Sequence, residues 1–247
     1  MDIDSKVIKK NVCFVLPTYN EEGNIENIIG QILIEEKKQN RYVFSVLVVD
    51  DNSADQTQAI VKRIIDSKDN IHLLTGEKKG LGDAYKRGFL HAVDILKADI
   101  IFQMDSDGQH DVSLVPEFLK DISADKDVVI GSRFINGGAT PDFSIFRLLI
   151  SRIGNLLVRY AGGVITIKDC TSGYRAIKSS YLKDIDFTYL STRGYSFQSS
   201  LICDLAWRGA VISETPIVFS SRKAGDSKLS LRDQIEFLLN IPRLGFR

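Results

Sequence analysis

The sequence predicts an α/β protein built on a doubly wound, mostly parallel sheet. Short apolar runs alternate with amphipathic stretches in a β-α-β-α-β-α-β order from Val12 to Met104. Three of those runs end in polar clusters, Pro17–Glu21, Asp50–Ser53 and Asp105–Gln109. Right-handed crossovers place the carboxyl ends of parallel strands along one rim, which is where ligands bind in open sheets. The three clusters should therefore meet.

Val12–Leu16 reads as the first strand, stopped by Pro17. Asn20 is placed to cap the next helix, which runs to about Lys37 with acidic residues in its first turn. Phe44–Val49 is the second strand, and a helix from about Ala54 to Ser67 follows the Asp50–Ser53 cluster. Ile71–Leu74 is a short third strand. Gly80-Leu81-Gly82 opens a helix from about Asp83 to Leu96. Asp99–Met104 is the fourth strand, apolar enough to be buried on both faces, and it stops on Asp105 and Asp107.

The second half differs in character. Val128–Arg133 is a fifth strand ending in a basic residue. From Phe143 to Lys168 there is no acidic residue, while Arg147, Arg152, Arg159 and Lys168 are present. At helical spacing Phe146, Ile150, Ile153, Leu157 and Tyr160 share one broad face, and Arg147 and Ser151 lie one turn apart on a common edge. Such a helix suits a membrane surface, and equally a core position with a solvated basic face. Asp169–Ala176 reads as a loop and strand, and Phe197–Trp207 as a helix. Val211–Phe219 is a late strand whose Pro216 fits a sheet edge. A final helix over about Leu231–Leu239 leads into an apolar and basic tail, Ile241–Arg247, that could also rest on a membrane.

Whole-chain properties narrow the classes. The 247 residues carry 32 basic and 32 acidic side chains, so net charge steers no partner and a nucleic-acid role has no support. No apolar run reaches the ~20 residues of a bilayer span, and the polar N-terminus lacks a signal-peptide core. Cys13, Cys170 and Cys203 fit no metal spacing and are expected to be reduced, as in the cytosol, with Cys13 a small core residue.

Asp105-Ser106-Asp107 carries the chemistry. Two carboxylates at a strand end suit Mg²⁺ or Mn²⁺, hard cations that share their coordination with substrate phosphates. A lone Asp-x-Asp is more often a solvated acidic turn. Two further polar clusters at the same rim reverse that judgement.

In order along the chain stand Pro17-Thr18-Tyr19-Asn20-Glu21, Val48-Val49-Asp50-Asp51-Asn52-Ser53, Gly80-Leu81-Gly82-Asp83-Ala84, Met104-Asp105-Ser106-Asp107, Gly131-Ser132-Arg133, Thr171-Ser172-Gly173-Tyr174-Arg175 and Asp226-Ser227-Lys228-Leu229. From Asn11 to about Leu239 the chain resembles the inverting glycosyltransferases of the GT-A fold, and among them the polyprenyl-phosphate sugar synthases, most closely the dolichol-phosphate mannose synthase group. The resemblance implies a single GT-A domain over residues 1–247. Residues 11–132 would form the nucleotide-sugar half, and 133–247 the acceptor and membrane-facing half with basic amphipathic interfacial helices.

The resemblance also implies roles. Pro17, Tyr19, Glu21, Val48 and Asp50 would hold the nucleotide, and Asp105, Ser106 and Asp107 the nucleotide-sugar. Asp107 and Gln109 match metal-holding positions. Arg133 would face the donor diphosphate and the acceptor phosphate, with Arg147 and Ser151 also on the acceptor phosphate. Arg222 and Lys228 would close on the donor diphosphate. Asn52 stands where many members have Gly, and Ser106 where Ala is commoner. Many bacterial members carry C-terminal transmembrane helices absent from this sequence, so a membrane-anchoring partner protein is one way such a chain would be held.

The expected reaction is metal-dependent, inverting transfer of a hexose, mannose from GDP-mannose by the resemblance, to dolichyl or polyprenyl phosphate at the cytosolic membrane face. A phosphate monoester has a second pKa near ~6, so the acceptor oxygen is already anionic and His72, His91 and His110 need not act as bases. The obstacle is electrostatic: two unit charges at ~4 Å repel by about 4 kcal/mol at an effective dielectric near 20. A divalent cation with Arg133, Arg147, Arg222 and Lys228 would offset it. Two alternatives stay open: another donor such as a UDP-sugar, or a soluble acceptor, on the same fold, and a nucleotide-sugar-binding subunit without catalysis.

Overall fold

The computed structural model describes residues 9–188, 190, 194–220 and 237–245. Seven strands form one sheet in the order β3-β2-β1-β4-β6-β5-β7. Its parallel half comprises β1 (Lys10–Thr18), β2 (Tyr42–Asp50), β3 (Ile71–Thr75) and β4 (Ile100–Gln103). The other half comprises β5 (Val128–Ser132), β6 (Arg175–Lys178) and β7 (Ile212–Pro216). Here β6 runs antiparallel to both β4 and β5, while β7 pairs parallel with β5. The mostly parallel α/β expectation holds. β7 lies at the sheet edge, as Pro216 suggests.

Side-chain alternation along the buried strands feeds two cores. Val12, Phe14, Phe44, Val46 and Phe102 face α1 (Ile25–Glu36), α2 (Thr57–Ile65) and α4 (Val115–Ser123). Cys13, Val15, Leu47, Val49 and Ile101 face the layer of α3 (Leu81–Asp94), α5 (Ile145–Ala161), α6 (Ser180–Lys183) and α7 (Gly194–Trp207). All three cysteines are free and buried, Cys13 as the expected core residue.

Several local expectations are corrected. Pro17 does not stop β1, which continues to Thr18 in register with Val49 and Asp50. Thr18 turns its carbonyl to Asp51 on the β2 side and Val15 accepts from Met104 on the β4 side, so the missing Pro17 N–H would point past the end of β4, where no ladder remains. Asn20 is not a helix cap. It has φ 55°, its backbone N–H donates to Ser53 Oγ and its side-chain oxygen accepts from the Ala54 N–H. The helix starts at Ile25 after Asn24, with Glu26 the acidic residue of its first turn. α4 has no counterpart among the expected elements, and its Pro116 sits in the first turn, where the absent N–H costs nothing.

The basic stretch becomes α5, and its apolar face points outward. Ser144 caps it by accepting from the Arg147 N–H. Only Gly154, Asn155 and Val158 are buried, whereas Phe146 is 72% exposed and Ile150, Ile153, Leu157 and Tyr160 are exposed with it. In the C-terminal segment Ile241 and Leu244 are buried in the core, which corrects their reading as membrane contacts, while Leu238 and Leu239 are exposed. No helix among the described residues is long and apolar enough to cross a membrane.

Candidate active site

The strand order reverses direction between β1 and β4, and ligands bind at such switch points. The three polar clusters do converge there. Thr18 Oγ1 at the end of β1 donates to Asp50 Oδ1 at the end of β2, at 2.9 Å. The Ser106 hydroxyl after β4 donates to the Pro17 carbonyl, a use for the hydroxyl that alanine lacks. Asn52 has φ 53°, a conformation that favours glycine and that asparagine tolerates. The departure at Asn52 thus preserves the turn.

The predicted nucleotide residues differ in what they expose. Val48 is wholly inside the core. Asp50 is also fully buried, accepting from Thr18 Oγ1, Ser53 N and Oγ, and Gln58 Nε2. Its carboxylate ties the end of β1 to the loop after β2 and to Gln58 of α2. Lys78 Nζ sits 3.3 Å from the centroid of the Tyr19 ring, and Glu21 Oε2 accepts from Asn24 Nδ2. Next to Asp50, Asp51 pairs with Arg87; burial raises its carboxyl above the usual range and Arg87 offsets part of that.

Asp105 is held by Tyr85, which the sequence does not flag, and is adjoined by His110 and the Thr171–Arg175 segment. The Tyr85 hydroxyl on α3 donates to its Oδ1 at 2.7 Å. Burial, then the Asp105 charge, pushes the Tyr85 phenol well above its ordinary value, so it stays a donor at any working pH. His110 Nε2 lies 3.6 Å from Asp105 Oδ2, with its ring between Tyr174 and Phe219. A Cβ on Gly173 would stand 3.2 Å from Asp105 Oδ2, so the Thr171–Arg175 segment lies close against this carboxylate. The Gly80 turn requires glycine more directly, with φ 110° at the start of α3.

Asp107 accepts from the Gln109 backbone N–H at 3.1 Å, which orients its carboxylate. Gln109 Nε2 donates to the Ser220 carbonyl at 2.6 Å, so its amide oxygen is the end able to coordinate a cation. These are hard oxygen donors, as Mg²⁺ or Mn²⁺ requires. No group of three or more His, Cys, Asp or Glu able to hold a metal occurs among the described residues. The set fits a cation that completes its shell with water and substrate phosphate.

Arg133 is buried and bound to Asp169. Nε and Nη2 reach its two carboxylate oxygens at 2.7 Å each, and Nη2 also donates to Thr171 Oγ1 at 2.8 Å. Burial alone would raise the Asp169 carboxyl, but the Arg133 charge and hydrogen bonds outweigh it and hold it below the usual range. Asp169 is the first acid after the acid-free stretch, a signal that sequence reasoning passed over.

Two short paths join Arg133 to α5. Asn155 Nδ2 donates to the Ser151 carbonyl and to Thr171 Oγ1, at 2.9 and 3.1 Å. Phe219 carries Arg133 at 5.5 Å on its ring and meets Phe143 edge-on at 6.0 Å, and Phe143 in turn carries Arg147 at 3.9 Å. Arg133 thus reaches Arg147 through Phe219 and Phe143, and the Ser151 backbone through Thr171 and Asn155, while Phe219 also meets His110, which adjoins Asp105. Arg222 and Lys228 lie outside the described residues.

The chain matches glycosyl transferase family 2 over residues 13–186. It is 33% identical over 239 residues to the polyprenol monophosphomannose synthase of Mycolicibacterium smegmatis, a match covering 94% of this chain and 86% of that protein. Identity to the undecaprenyl-phosphate mannosyltransferase of Micrococcus luteus is also 33%, over 95% and 93% of the two chains. Among solved structures, glucosyl-3-phosphoglycerate synthase of Mycobacterium tuberculosis, in complex with Mn²⁺ and UDP-glucose, matches with TM-score 0.66 and 19% identity over 95% of this chain and 79% of that one. Mannosyl-3-phosphoglycerate synthase of Rubrobacter xylanophilus matches with TM-score 0.66 and 16% identity, over 96% and 72%. With these two structures the likeness is one of fold.

Proposed function

The chain belongs to glycosyl transferase family 2, and we propose that within it the protein moves a mannosyl group from GDP-mannose to a polyprenyl or dolichyl phosphate, with inversion, at the cytosolic face of a membrane. The observation that supports this reading is an acidic strand end, Asp105 and Asp107, beside a second group in which Arg133 reaches Arg147 through Phe219 and Phe143 and reaches the Ser151 backbone through Thr171 and Asn155. The first suits a nucleotide-sugar with its cation, and the second a phosphate monoester. The names of the relatives in M. smegmatis and M. luteus agree with a prenyl phosphate acceptor and mannose.

The acceptor oxygen attacks the anomeric carbon and the bond to the nucleoside diphosphate breaks. Its phosphate, with a second pKa near ~6, needs no base. Asp107 and Gln109 would hold Mg²⁺ or Mn²⁺, which supplies positive charge to the leaving diphosphate. Arg133, kept in place by Asp169, and Arg147 offset the repulsion between the two phosphates. Asp105, fixed by Tyr85, positions the donor sugar. Pro17, Tyr19, Glu21, Val48 and Asp50 shape the nucleotide pocket, with Val48 and Asp50 acting through the backbone and loop they fix. Ser106 ties the two strand ends together, and Arg222 and Lys228 belong to the diphosphate side. Residues 11–132 are the donor half and 133–247 the acceptor half.

The exposed arc of α5 would meet the bilayer that contains the acceptor, with or without an anchoring partner protein. The test is a panel of nucleotide-sugars with Mn²⁺ or Mg²⁺ and a short polyprenyl phosphate, with products identified by mass. Mannosyl-phosphoprenol from GDP-mannose is expected. Product from a UDP-sugar alone would change the donor, and transfer unaffected by excess chelator would remove the metal.

A further inference from the structure

The outer side of α5 has a basic feature that this reaction does not use. A cavity of about 330 Å³ opens there, bounded by Phe134, Arg152, Ile153, Leu156, Arg159 and Lys168, with Asn155, the residue that bonds Thr171, also on its wall. Three of these side chains are cationic and no carboxylate lines the space. Arg159 is fixed, since Nε and Nη2 both donate to the Ile165 carbonyl at 3.0 and 2.6 Å. Glu214, the carboxylate that meets this segment, is turned to the backbone N–H groups of Lys168 and Asp169 at 2.9 and 3.0 Å. The volume is at the lower end of the ~300–1,000 Å³ typical of small-ligand sites.

Position on the helix narrows the ligand. At 3.6 residues per turn Arg152 and Arg159 project about 20° apart, directly beside the exposed apolar arc of Ile145, Leu149, Ile153, Leu156 and Tyr160. Cations at the edge of an apolar face are where a lipid phosphate can pair while its chains cover that face. A free phosphate would gain nothing from the arc. On the opposite flank of the same arc is Arg147.

We propose that this cavity binds the headgroup of an anionic phospholipid, separate from the prenyl phosphate that is consumed. The proposal rests on the membrane reading above. Binding there sets the depth and rotation of α5, and so presents Arg147 and Ser151 to an acceptor phosphate at the bilayer surface.

The experiment measures binding of the intact protein to phosphatidylcholine vesicles with and without phosphatidylglycerol. Arg152→Gln with Lys168→Gln is expected to weaken binding to the anionic vesicles about thirtyfold, and either change alone about fivefold, at about one unit of surface attraction per cation. Binding to phosphatidylcholine alone, and turnover of a short, water-soluble prenyl phosphate, should not change. If the double variant fails to fold, the Lys168→Gln protein alone must still show its fivefold loss. Anionic-vesicle binding indifferent to both residues overturns the proposal. So does displacement of the protein from anionic vesicles by inorganic phosphate at matched ionic strength, which would assign the cavity to the free ion. Normal turnover with indifferent vesicle binding removes the headgroup site and keeps the reaction. Residue-dependent vesicle binding with no turnover on any acceptor does the reverse.

Discussion

The donor rim and helix α5 are built on opposite plans. At the rim key charged groups are buried and paired: Asp50 accepts four hydrogen bonds with no exposed surface, and Arg133 has both oxygens of Asp169. On α5 apolar groups are exposed, with Ile145 at 88% and Phe146 at 72%. The first suits the water-soluble, highly charged donor proposed for it. The other leaves apolar area in water at about 25 cal/mol per Å², which a membrane surface would recover. The proposed reaction, with one soluble and one lipid substrate, would use both.

The contrast can be broken most forcefully at Asp169. Asp169→Ala strands the buried Arg133 charge and should lower stability by about 3–5 kcal/mol, read from the denaturant midpoint. Because the Asp169 carboxyl is held below the usual range, the pair's contribution is present above the ordinary aspartate pKa and is lost as pH falls through the lowered folded value. The difference between wild type and variant should therefore be flat around neutrality and shrink only in strong acid. A stability change under about 1 kcal/mol would mean that water reaches the Arg133 guanidinium.

Next in size, Asp107→Ala should lower kcat by on the order of 10²–10³-fold with the melting temperature unchanged. Tyr85→Phe removes one hydrogen bond to Asp105 and should cost about 1 kcal/mol, with a weaker effect on turnover than Asp107→Ala. Smallest for the fold, Leu149→Ser and Ile153→Ser on α5 should change stability by under about 0.5 kcal/mol while reducing vesicle binding. A large loss of stability from either would show that the arc is packed against protein and erase the contrast.

The same two regions differ in how much of them the sequence discloses. The rim is legible because its strands are short apolar runs that lead into polar clusters, Pro17–Glu21, Asp50–Ser53 and Asp105–Gln109, although β1 runs one residue past Pro17. What was lost is long-range: Asn20 looks like a cap because its real partners, Ser53 and Ala54, are 33 and 34 residues away. Asp169 went unnoticed for the same reason, with Arg133 36 residues earlier. Nothing in Arg175–Lys178 announces that β6 runs antiparallel, because four residues carry no direction. For α5 the periodicity predicts the helix and its stripe, but a hydrophobic stripe does not say whether protein or lipid covers it. Only the buried side, Gly154, Asn155 and Val158, decides that the stripe faces outward.

The most direct measurement is the rate of mannosyl transfer from GDP-mannose to a polyprenyl phosphate, set against 3-phosphoglycerate under identical conditions. The lipid phosphate should be converted to a mannosyl-phosphoprenol of the expected mass, and the soluble phosphate left unchanged. Conversion of 3-phosphoglycerate with the lipid untouched would contradict the assignment of Arg133, Arg147 and Ser151 to a lipid acceptor.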